Sequence, residues 1–184
     1  MKASHRNHVP LMLGIAIGIV LVDQCSKAAM LHLLQPGQTH PLIGDWFRLR
    51  LLFNSGAAFS IGSSMTWIFT TIQLVFVVGI LGFVSRRITV TSAAVYLAMI
   101  AGGAAGNLCD RLFRAPGFFV GHVVDFISVG SFAVFNIADS FITVGVALLI
   151  IAMIRHPETF EDHKPDTTAA AAANTAQDQG VRRG

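Results

Sequence analysis

Four long apolar blocks alternate with polar stretches along the chain, and this pattern predicts its architecture. The blocks cover residues 9–34, 65–84, 93–109 and 135–154. A helix of twenty residues is about 30 Å long, which is enough to cross the hydrocarbon core of a bilayer. Thr91 and Ser92 can extend the third block, which is the shortest. The pattern therefore predicts an all-α membrane protein with a bundle of four transmembrane helices.

The first block has an alternative interpretation as a cleavable signal peptide, because Lys2 and Arg6 precede its apolar stretch. However, apolar residues continue beyond Asp23 and Lys27, and no small-residue cleavage site follows. We therefore expect a retained helix.

The stretch between the first two blocks changes to a period of two. Over residues 46–51, Phe, Leu and Leu alternate with Trp, Arg and Arg, which is typical of a strand. We expect a small extracytoplasmic β-sheet at the membrane surface, with Trp46 as an interfacial anchor. For residues 113–131 we expect a loop followed by a short helix or turn that rests on the bilayer.

The end of the chain differs from the rest in composition. From residue 157 onward it carries an alanine run and a polar end, which is typical of a disordered segment. We therefore predict one four-helix membrane domain over residues 1–156 and a disordered cytoplasmic tail over residues 157–184.

The overall composition supports the membrane assignment. Hydrophobic residues make up 53% of the chain, charged residues only 12%, and the mean hydropathy is +0.63. Soluble domains carry about 25% charged residues, so this class is excluded. The net charge of +3 reflects membrane topology and does not indicate nucleic-acid binding.

The distribution of basic residues predicts the orientation. Eight of the 13 lie in the amino terminus, the connection between the second and third blocks, and the tail, whereas five lie in the other connections and their flanks. Arg86 and Arg87 form a tight pair in a short loop, where the positive-inside rule is strongest. We expect both termini in the cytoplasm, and the connections that carry Asn54 and Asp125 on the outer side.

Two aspartates stand out against this apolar background. Asp125 lies in the last connection, and Asp139 lies at the start of the fourth block, three residues after Asn136. An aspartate costs roughly 2.5–3.5 kcal/mol at the centre of an inserted helix and less near an end. Two carboxylates at one membrane edge can share a proton, which indicates hydrolysis by acid–base chemistry.

Other polar residues near the bilayer have both structural and functional interpretations. Asp23 and Lys27 are spaced i,i+4, so they can form an ion pair on one face of the first helix, and a structural role is favoured over a catalytic one. Near the end of the third helix, the spacing of Gly102 and Gly106 favours close approach of another helix.

Asn107, Asp110 and Arg111 follow these glycines and form a polar cluster at the end of the same helix. Asp110 and Arg111 can cap and anchor that end. Asn107 and Arg111 can equally contact a substrate, and the residues alone leave both interpretations open.

Competing chemistries find weaker support in the sequence. The seven histidines show no His-Glu-x-x-His or similar spacing, so a metal site is not predicted. His122 can act as a base but has no evident nucleophile beside it. A serine–lysine dyad of Lys27 with Ser55, Ser60 or Ser140 lacks a local motif. A small transporter or channel with Asp139 as its proton or ion site is the remaining rival.

The polar motifs also occur together in a known family, and the chain resembles signal peptidase II, the bacterial lipoprotein signal peptidase. The similarity covers most of residues 11–154. Its motifs are Asp23-Gln24-x-x-Lys27, Asn54-Ser55-Gly56-Ala57-Ala58-Phe59, Gly102-Gly103-Ala104-x-Gly106-Asn107-x-x-Asp110-Arg111, Val123-Val124-Asp125-Phe126 and Phe135-Asn136-x-Ala138-Asp139. Residues 114–119 and the extended tail depart from compact relatives, which affects loop geometry but none of the motifs.

The resemblance implies an aspartic endopeptidase that cuts signal peptides from diacylglyceryl-modified prolipoproteins just before the lipidated cysteine. It implies a multi-pass protein of the bacterial cytoplasmic membrane, monomeric, with its active site near the outer leaflet, in contact with membrane lipid and without a metal or cofactor. Asp125 and Asp139 would be the catalytic dyad, and Asp23 and Lys27 would give structural support. The substrate site would be lined by Asn54, Gly103, Asn107, Arg111 and Asn136.

Overall fold

The computed structural model of the chain describes residues 7–56 and 65–157. Its helices are α1 (Val9–Leu33), α2 (Thr66–Val78), α3 (Thr91–Phe113) and α4 (Ile137–Arg155). Its strands are β1 (Thr39–Ile43), β2 (Phe47–Asn54) and β3 (Val123–Val129). A π-helical turn, Gly79–Phe83, and a 3₁₀ turn, Val84–Arg86, continue α2 without a break.

Within the described part of the chain, four helices are long and apolar enough to cross a membrane. They are Val9–Leu33, Thr66–Arg86, Thr91–Phe113 and Ile137–Arg155. The predicted four-helix architecture with a small sheet is therefore confirmed. The third helix extends beyond the predicted apolar block because its polar end finds buried partners, which are described below.

The central element of the bundle is α3, which packs against both α1 and α2. Small residues allow this close packing. A Cβ atom on Gly102 would lie 2.9 Å from the Ala16 Cα of α1, so this glycine lets the two backbones approach. Gly145 of α4 likewise allows α4 to approach α3, since a Cβ there would lie 3.0 Å from the Tyr96 carbonyl oxygen of α3.

The three strands form one antiparallel sheet in the order β1-β2-β3. The strand predicted over residues 46–51 is confirmed as β2, which runs slightly further. The pairing of β2 with β3 shifts register between Leu49 and Leu52, and beyond this bulge Leu52 pairs with Asp125. Two apolar clusters support this fold, one between α1 and α3 around Met12, and one beneath the sheet around Val124.

The expected short helix or turn within residues 113–131 is wrong for the segment Val123–Val129, which is a strand. Both faces of β3 are largely buried, so its sequence shows no alternation of apolar and polar residues. Turns occupy the part before it, where the Thr70 hydroxyl of α2 donates to the Phe119 carbonyl at 2.9 Å. The His122 amide donates to the Ala115 carbonyl at 2.9 Å, which closes the connection onto itself.

Residues 1–152 form one compact unit, and residues 153–184 form a second, of which the structure describes 153–157. The predicted tail lies outside the described residues except for Pro157. The predicted division at residue 156 stays a prediction.

Candidate active site

Asp125 lies on β3 with only 1% of its surface exposed. Its two carboxylate oxygens accept hydrogen bonds from two side-chain amides. The Asn54 Nδ2 donates to Oδ2 at 2.9 Å, and the Asn136 Nδ2 donates to Oδ1 at 2.6 Å. The sheet brings Asn54, at the end of β2, to the neighbouring strand, so the fold itself places this donor.

Asp139 lies in the first turn of α4 and forms a reciprocal cap with Asn136, the residue just before the helix. The Asn136 Oδ1 accepts from the backbone amide of Asp139 at 2.9 Å, and the Asp139 Oδ2 accepts from the backbone amide of Asn136 at 3.2 Å. This is the geometry of a capping box, built here from asparagine and aspartate. The cap fixes the Asp139 carboxylate at the positive end of the helix dipole.

Two asparagines connect the aspartates to each other and to the bundle. The Asn107 Nδ2 of α3 donates to the Asp139 Oδ1 at 2.7 Å. The Asn107 Oδ1 in turn accepts from the Asn136 Nδ2 at 3.1 Å. Because Asn136 also donates to Asp125, its side chain bonds directly to both carboxyl-bearing residues. Asp125 and Asp139 thus belong to one continuous hydrogen-bond network.

The environment of Asp125 favours its protonated form. Burial raises the pKa of this carboxyl from 3.8 to about 6, although the hydrogen bond from Asn54 opposes the shift. The negative charge of Asp139 raises the Asp125 pKa further, whereas Asn136 and the positive charge of Lys27 lower it. The carboxyl therefore holds a proton far more readily than an exposed aspartate.

Beneath the dyad lies a buried ion cluster that we define as Asp23, Lys27, Asp110 and Arg114. The Lys27 Nζ lies 2.8 Å from oxygens of both Asp23 and Asp110, and it donates to the Asn107 Oδ1 at 2.9 Å. An ammonium has three N–H donors, so these three acceptors use all of them. Arg114 pairs with Asp110 at 2.6 Å, which leaves two positive charges against two negative ones.

The ion cluster also holds the backbone next to each aspartate of the dyad. The Asp110 Oδ2 accepts from the Val124 amide at 3.1 Å, one residue before Asp125. The Asp23 Oδ1 accepts from the Ala138 amide at 3.0 Å, one residue before Asp139. The cluster therefore fixes β3 and the start of α4 relative to α1 and α3. The predicted Asp23–Lys27 ion pair is confirmed.

Arg111 lies on the other side of α3 and holds the segment after β2. Its guanidinium donates to the Ser55 carbonyl at 3.3 Å and to the Gln73 side chain at 3.1 Å. It also lies 5.9 Å from the centre of the Phe69 ring, within cation–π range. Since the Asn54 Oδ1 accepts from the Gly56 amide at 2.8 Å, the donor to Asp125 is fixed from two directions.

Gly103 lies at the contact between α3 and α4. A Cβ atom there would lie 2.7 Å from the Ile142 side chain and would press on the Ala138 carbonyl oxygen. This glycine therefore allows α4 to bring Asp139 against Asn107. The predicted contact of Gly103 with substrate stays a prediction.

Comparisons with known proteins identify the family of the chain. A family profile described as Signal peptidase (SPase) II matches residues 15–155. The chain belongs to the signal peptidase II family. A lipoprotein signal peptidase of Mycobacterium avium is 47% identical over 78% of this chain and 79% of its own length. One of Mycobacterium tuberculosis is 46% identical over 78% of this chain and 71% of its own length.

Solved structures show the same fold. Two bacterial membrane enzymes determined by the in meso method superpose with TM-scores of 0.70 and 0.65, at 29% and 30% identity. The matches cover 82% and 84% of this chain and 97% and 94% of those chains. The predicted resemblance to signal peptidase II is confirmed, and membership of this family makes the chain a multi-pass membrane peptidase.

Sequence reasoning missed several members of the site. Gln24 donates to carboxylate oxygens of Asp23 and Asp110 and accepts from Arg114 at 3.2 Å. The i,i+4 spacing of Asp110 and Arg114 was a usable signal for their pairing. Gln73, a polar residue within the membrane span of α2, was a second signal, because such residues usually face a polar partner.

The rival chemistries find little geometric support among the described residues. Lys27 is saturated by its acceptors, and the Ser140 hydroxyl donates to the Asn136 carbonyl at 3.0 Å, so these two do not form a dyad. Ser60 lies outside the described part of the chain. In that part, no group of three or more His, Cys, Asp or Glu residues is placed to hold a metal ion.

Proposed function

We propose that this chain is an aspartic endopeptidase that removes signal peptides from diacylglyceryl-modified prolipoproteins by cleaving just before the lipidated cysteine. The observation that carries the proposal is the linkage of Asp125 and Asp139 through Asn136 in a largely buried site. Membership of the signal peptidase II family supports the substrate class.

In the proposed mechanism, the dyad shares one proton. Asp125 carries it, because its buried position favours the neutral form. Asp139, at the amino end of α4, is the ionised member and takes a proton from the attacking water. Asp125 donates its proton to the scissile carbonyl oxygen, and the dyad then protonates the departing amine. The reaction requires no covalent enzyme intermediate, metal or cofactor.

Asn54, Gly103, Asn107, Arg111 and Asn136 are the proposed lining of the substrate site. Their present contacts also support a positioning role, since Asn54, Asn107 and Asn136 each donate a hydrogen bond to one of the two aspartates and hold its carboxylate in place. Arg111 is proposed to hold backbone carbonyls of the substrate, because a guanidinium offers five donors in a fixed geometry.

The proposed location is the bacterial inner membrane, with both termini in the cytoplasm and the dyad near the outer leaflet. Arg86 ends the second span and Arg87 follows it, at the end opposite to the sheet connections, which supports this orientation. The exposed Trp46, in the turn just before β2, suits an interfacial position. We propose that a monomer suffices, because one chain contributes both aspartates.

The test is cleavage of a lipidated precursor by the purified full-length protein in detergent. Asp125→Asn and Asp139→Asn are each expected to lose about 10²–10⁴-fold in kcat, because an amide can neither take nor give the required proton. The double variant should be hardly worse than either single variant, since the two groups act as a unit.

Ser140→Ala is the matched control in the same assay, and it should retain turnover because its hydroxyl serves only a backbone carbonyl. Near-normal turnover by either aspartate variant would contradict the dyad. Loss of turnover in a folded Ser140→Ala variant would indicate a hydroxyl nucleophile instead.

A further inference from the structure

The first two turns of α2 carry a polar face within a mainly apolar span. Thr66, Thr70 and Gln73 are spaced at i, i+4 and i+7, so they lie on one side of the helix. The Thr66 hydroxyl donates to the Ser55 carbonyl at 2.9 Å, and the Thr70 hydroxyl donates to the Phe119 carbonyl at 2.9 Å. Both threonines thus hold backbone segments next to the site, and Gln73 is the third polar side chain of this face.

The contact with Arg111 determines which way the Gln73 amide faces. The Arg111 Nε donates to the Gln73 Oε1 at 3.1 Å. A guanidinium has N–H donors and no acceptor, so the side-chain oxygen of Gln73 must face it and the amide nitrogen must point away. Arg111 is itself fixed by the Ser55 carbonyl and the Phe69 ring. The direction of the Gln73 NH₂ group is therefore set in advance.

The Gln73 NH₂ group has two N–H donors, and neither meets an acceptor among the described residues. The side chain is half-buried, so a molecule beside α2 can reach this group. Gln73 lies seven residues from the start of the span at Thr66, or about 10 Å along the helix. A donor without a partner is unfavourable at this depth, and polar groups within membrane spans mark places where a polar ligand enters.

We propose that Gln73 is a substrate-binding residue whose NH₂ group donates to a backbone carbonyl of the signal peptide, just before the scissile bond. The inference rests on the proposed function and adds a residue of α2 to its substrate site. The Gln73 oxygen orients the amide against Arg111, and the Gln73 nitrogen contacts the peptide.

The geometry of a membrane-spanning substrate explains why such a donor is needed. A peptide that crosses the hydrocarbon core is helical, and the last four C=O groups of a helix have no partner within it. The scissile carbonyl must be open to the attacking water and to the proton donor, so the helix has to end before it. Its last carbonyls then lie within the membrane, where water is scarce, and each requires a donor from the enzyme. Gln73 and Arg111 together supply such donors at this depth.

Two variants of Gln73 separate substrate binding from a structural role that uses only the oxygen. Gln73→Glu keeps an oxygen for the Arg111 Nε but, as a carboxylate, offers no donor, whereas Gln73→Met has a similar volume and neither group. With the full-length protein in detergent and a lipidated precursor, both variants should lose about tenfold or more in kcat/KM. The loss should be mainly in KM, because the contact is present in the bound precursor and in the transition state alike.

Thr71→Val is the matched control on the same helix. Thr71 is exposed, and its hydroxyl donates to the Trp67 carbonyl at 2.8 Å. This variant should keep the wild-type kinetics.

Precursors with a single thioamide in place of one backbone amide identify the carbonyl, because sulfur is a weaker acceptor than oxygen. At one position before the scissile bond, the thioamide should lower kcat/KM for the wild type and have no further effect in Gln73→Met. Wild-type kinetics of Gln73→Glu would overturn the proposal, since the oxygen alone would then suffice. Thioamide effects that are the same in both proteins at every position would overturn it too.

Binding of the lipidated precursor to the Asp139→Asn protein gives a readout that needs no turnover. Adding Gln73→Met to this protein should raise the Kd about tenfold. An unchanged Kd would contradict the binding role. A raised Kd together with a wild type that fails to cleave the precursor would contradict the proposed function and support the binding role of Gln73.

Discussion

Asp125→Asn tests the burial of the Asp125 carboxyl, the proposed proton donor, without any substrate, through the pH dependence of stability. The pKa of Asp125 is about 6 in the folded protein, against 3.8 for the exposed group. The difference of about 2 pKa units corresponds to about 3 kcal/mol by which the ionised carboxylate destabilises the fold above pH 7. Because the folded pKa lies above the unfolded one, the folded state binds more protons between pH 4 and 6. Stability therefore falls as pH rises through this window.

The substitution also costs hydrogen bonding. Taken relative to the protonated carboxyl, this cost is a fixed offset that cancels when two pH values are compared. Both oxygens of Asp125 accept from amides, whereas asparagine offers one acceptor and turns its own NH₂ group toward one of the two donors. That mismatch costs about 1–3 kcal/mol. The variant should thus be destabilised at pH 4 and equal to or more stable than the wild type at pH 8. The change between the two pH values is about 2 kcal/mol, whatever the hydrogen-bond cost.

The assay is thermal and chemical unfolding of both proteins in the same detergent at pH 4, 5, 6 and 8. Asp45→Asn is the matched control, because Asp45 is exposed in the turn between β1 and β2. Its difference from the wild type is the reference for the loss of one exposed carboxyl group in the same measurements. A pH-independent difference for Asp125→Asn would refute the raised pKa, and with it the argument that Asp125 holds the shared proton.

Two further variants test how the site is held. Lys27→Met leaves the buried carboxylates of Asp23 and Asp110 without their central cation, so we expect the unfolding free energy to fall by about 3–5 kcal/mol and cleavage to be lost. Adding Asp23→Asn should restore part of the stability, and a Lys27→Met variant as stable as the wild type would contradict this expectation. Gly103→Ala forces α3 and α4 apart and should lower the unfolding free energy by about 1–3 kcal/mol and abolish most of the cleavage activity. Gly18→Ala, with open space around it, is the control and should have little effect on cleavage. Equal activity of the two variants would contradict a role of Gly103 in the helix contact.

Much of the fold follows directly from sequence periodicity. The four spans are predictable because each is an uninterrupted apolar run, and β2 is predictable because one of its faces is partly polar. β3 was not predictable in this way, since both of its faces are largely buried and its apolar run shows no alternation. Only its pairing with β2, 71 residues away at Asn54 and Asp125, turns that segment into a strand.

The site was partly predictable for a similar reason. Asp125 and Asp139 stand out because a charge in an apolar context is costly, and Asp23 and Lys27 stand out by helical spacing. The bond between Lys27 and Asp110 joins residues on two different helices, and no local pattern encodes it. The same holds for Asn107, whose amide reaches across to α4.

The ion cluster is better explained by positioning than by stability. Buried ion pairs often contribute less than an apolar core of equal volume, so their retention requires another reason. In this protein their carboxylates accept the Val124 and Ala138 amides, which an apolar side chain would leave unpaired at about 1–3 kcal/mol each. In a bilayer, moreover, lipid is as apolar as leucine, so helix register depends on small-residue contacts and polar bonds. Gly103 and the ion cluster supply both next to Asp125 and Asp139. The residues that hold α3 against α4 are therefore the ones that position the two carboxyl groups proposed for catalysis.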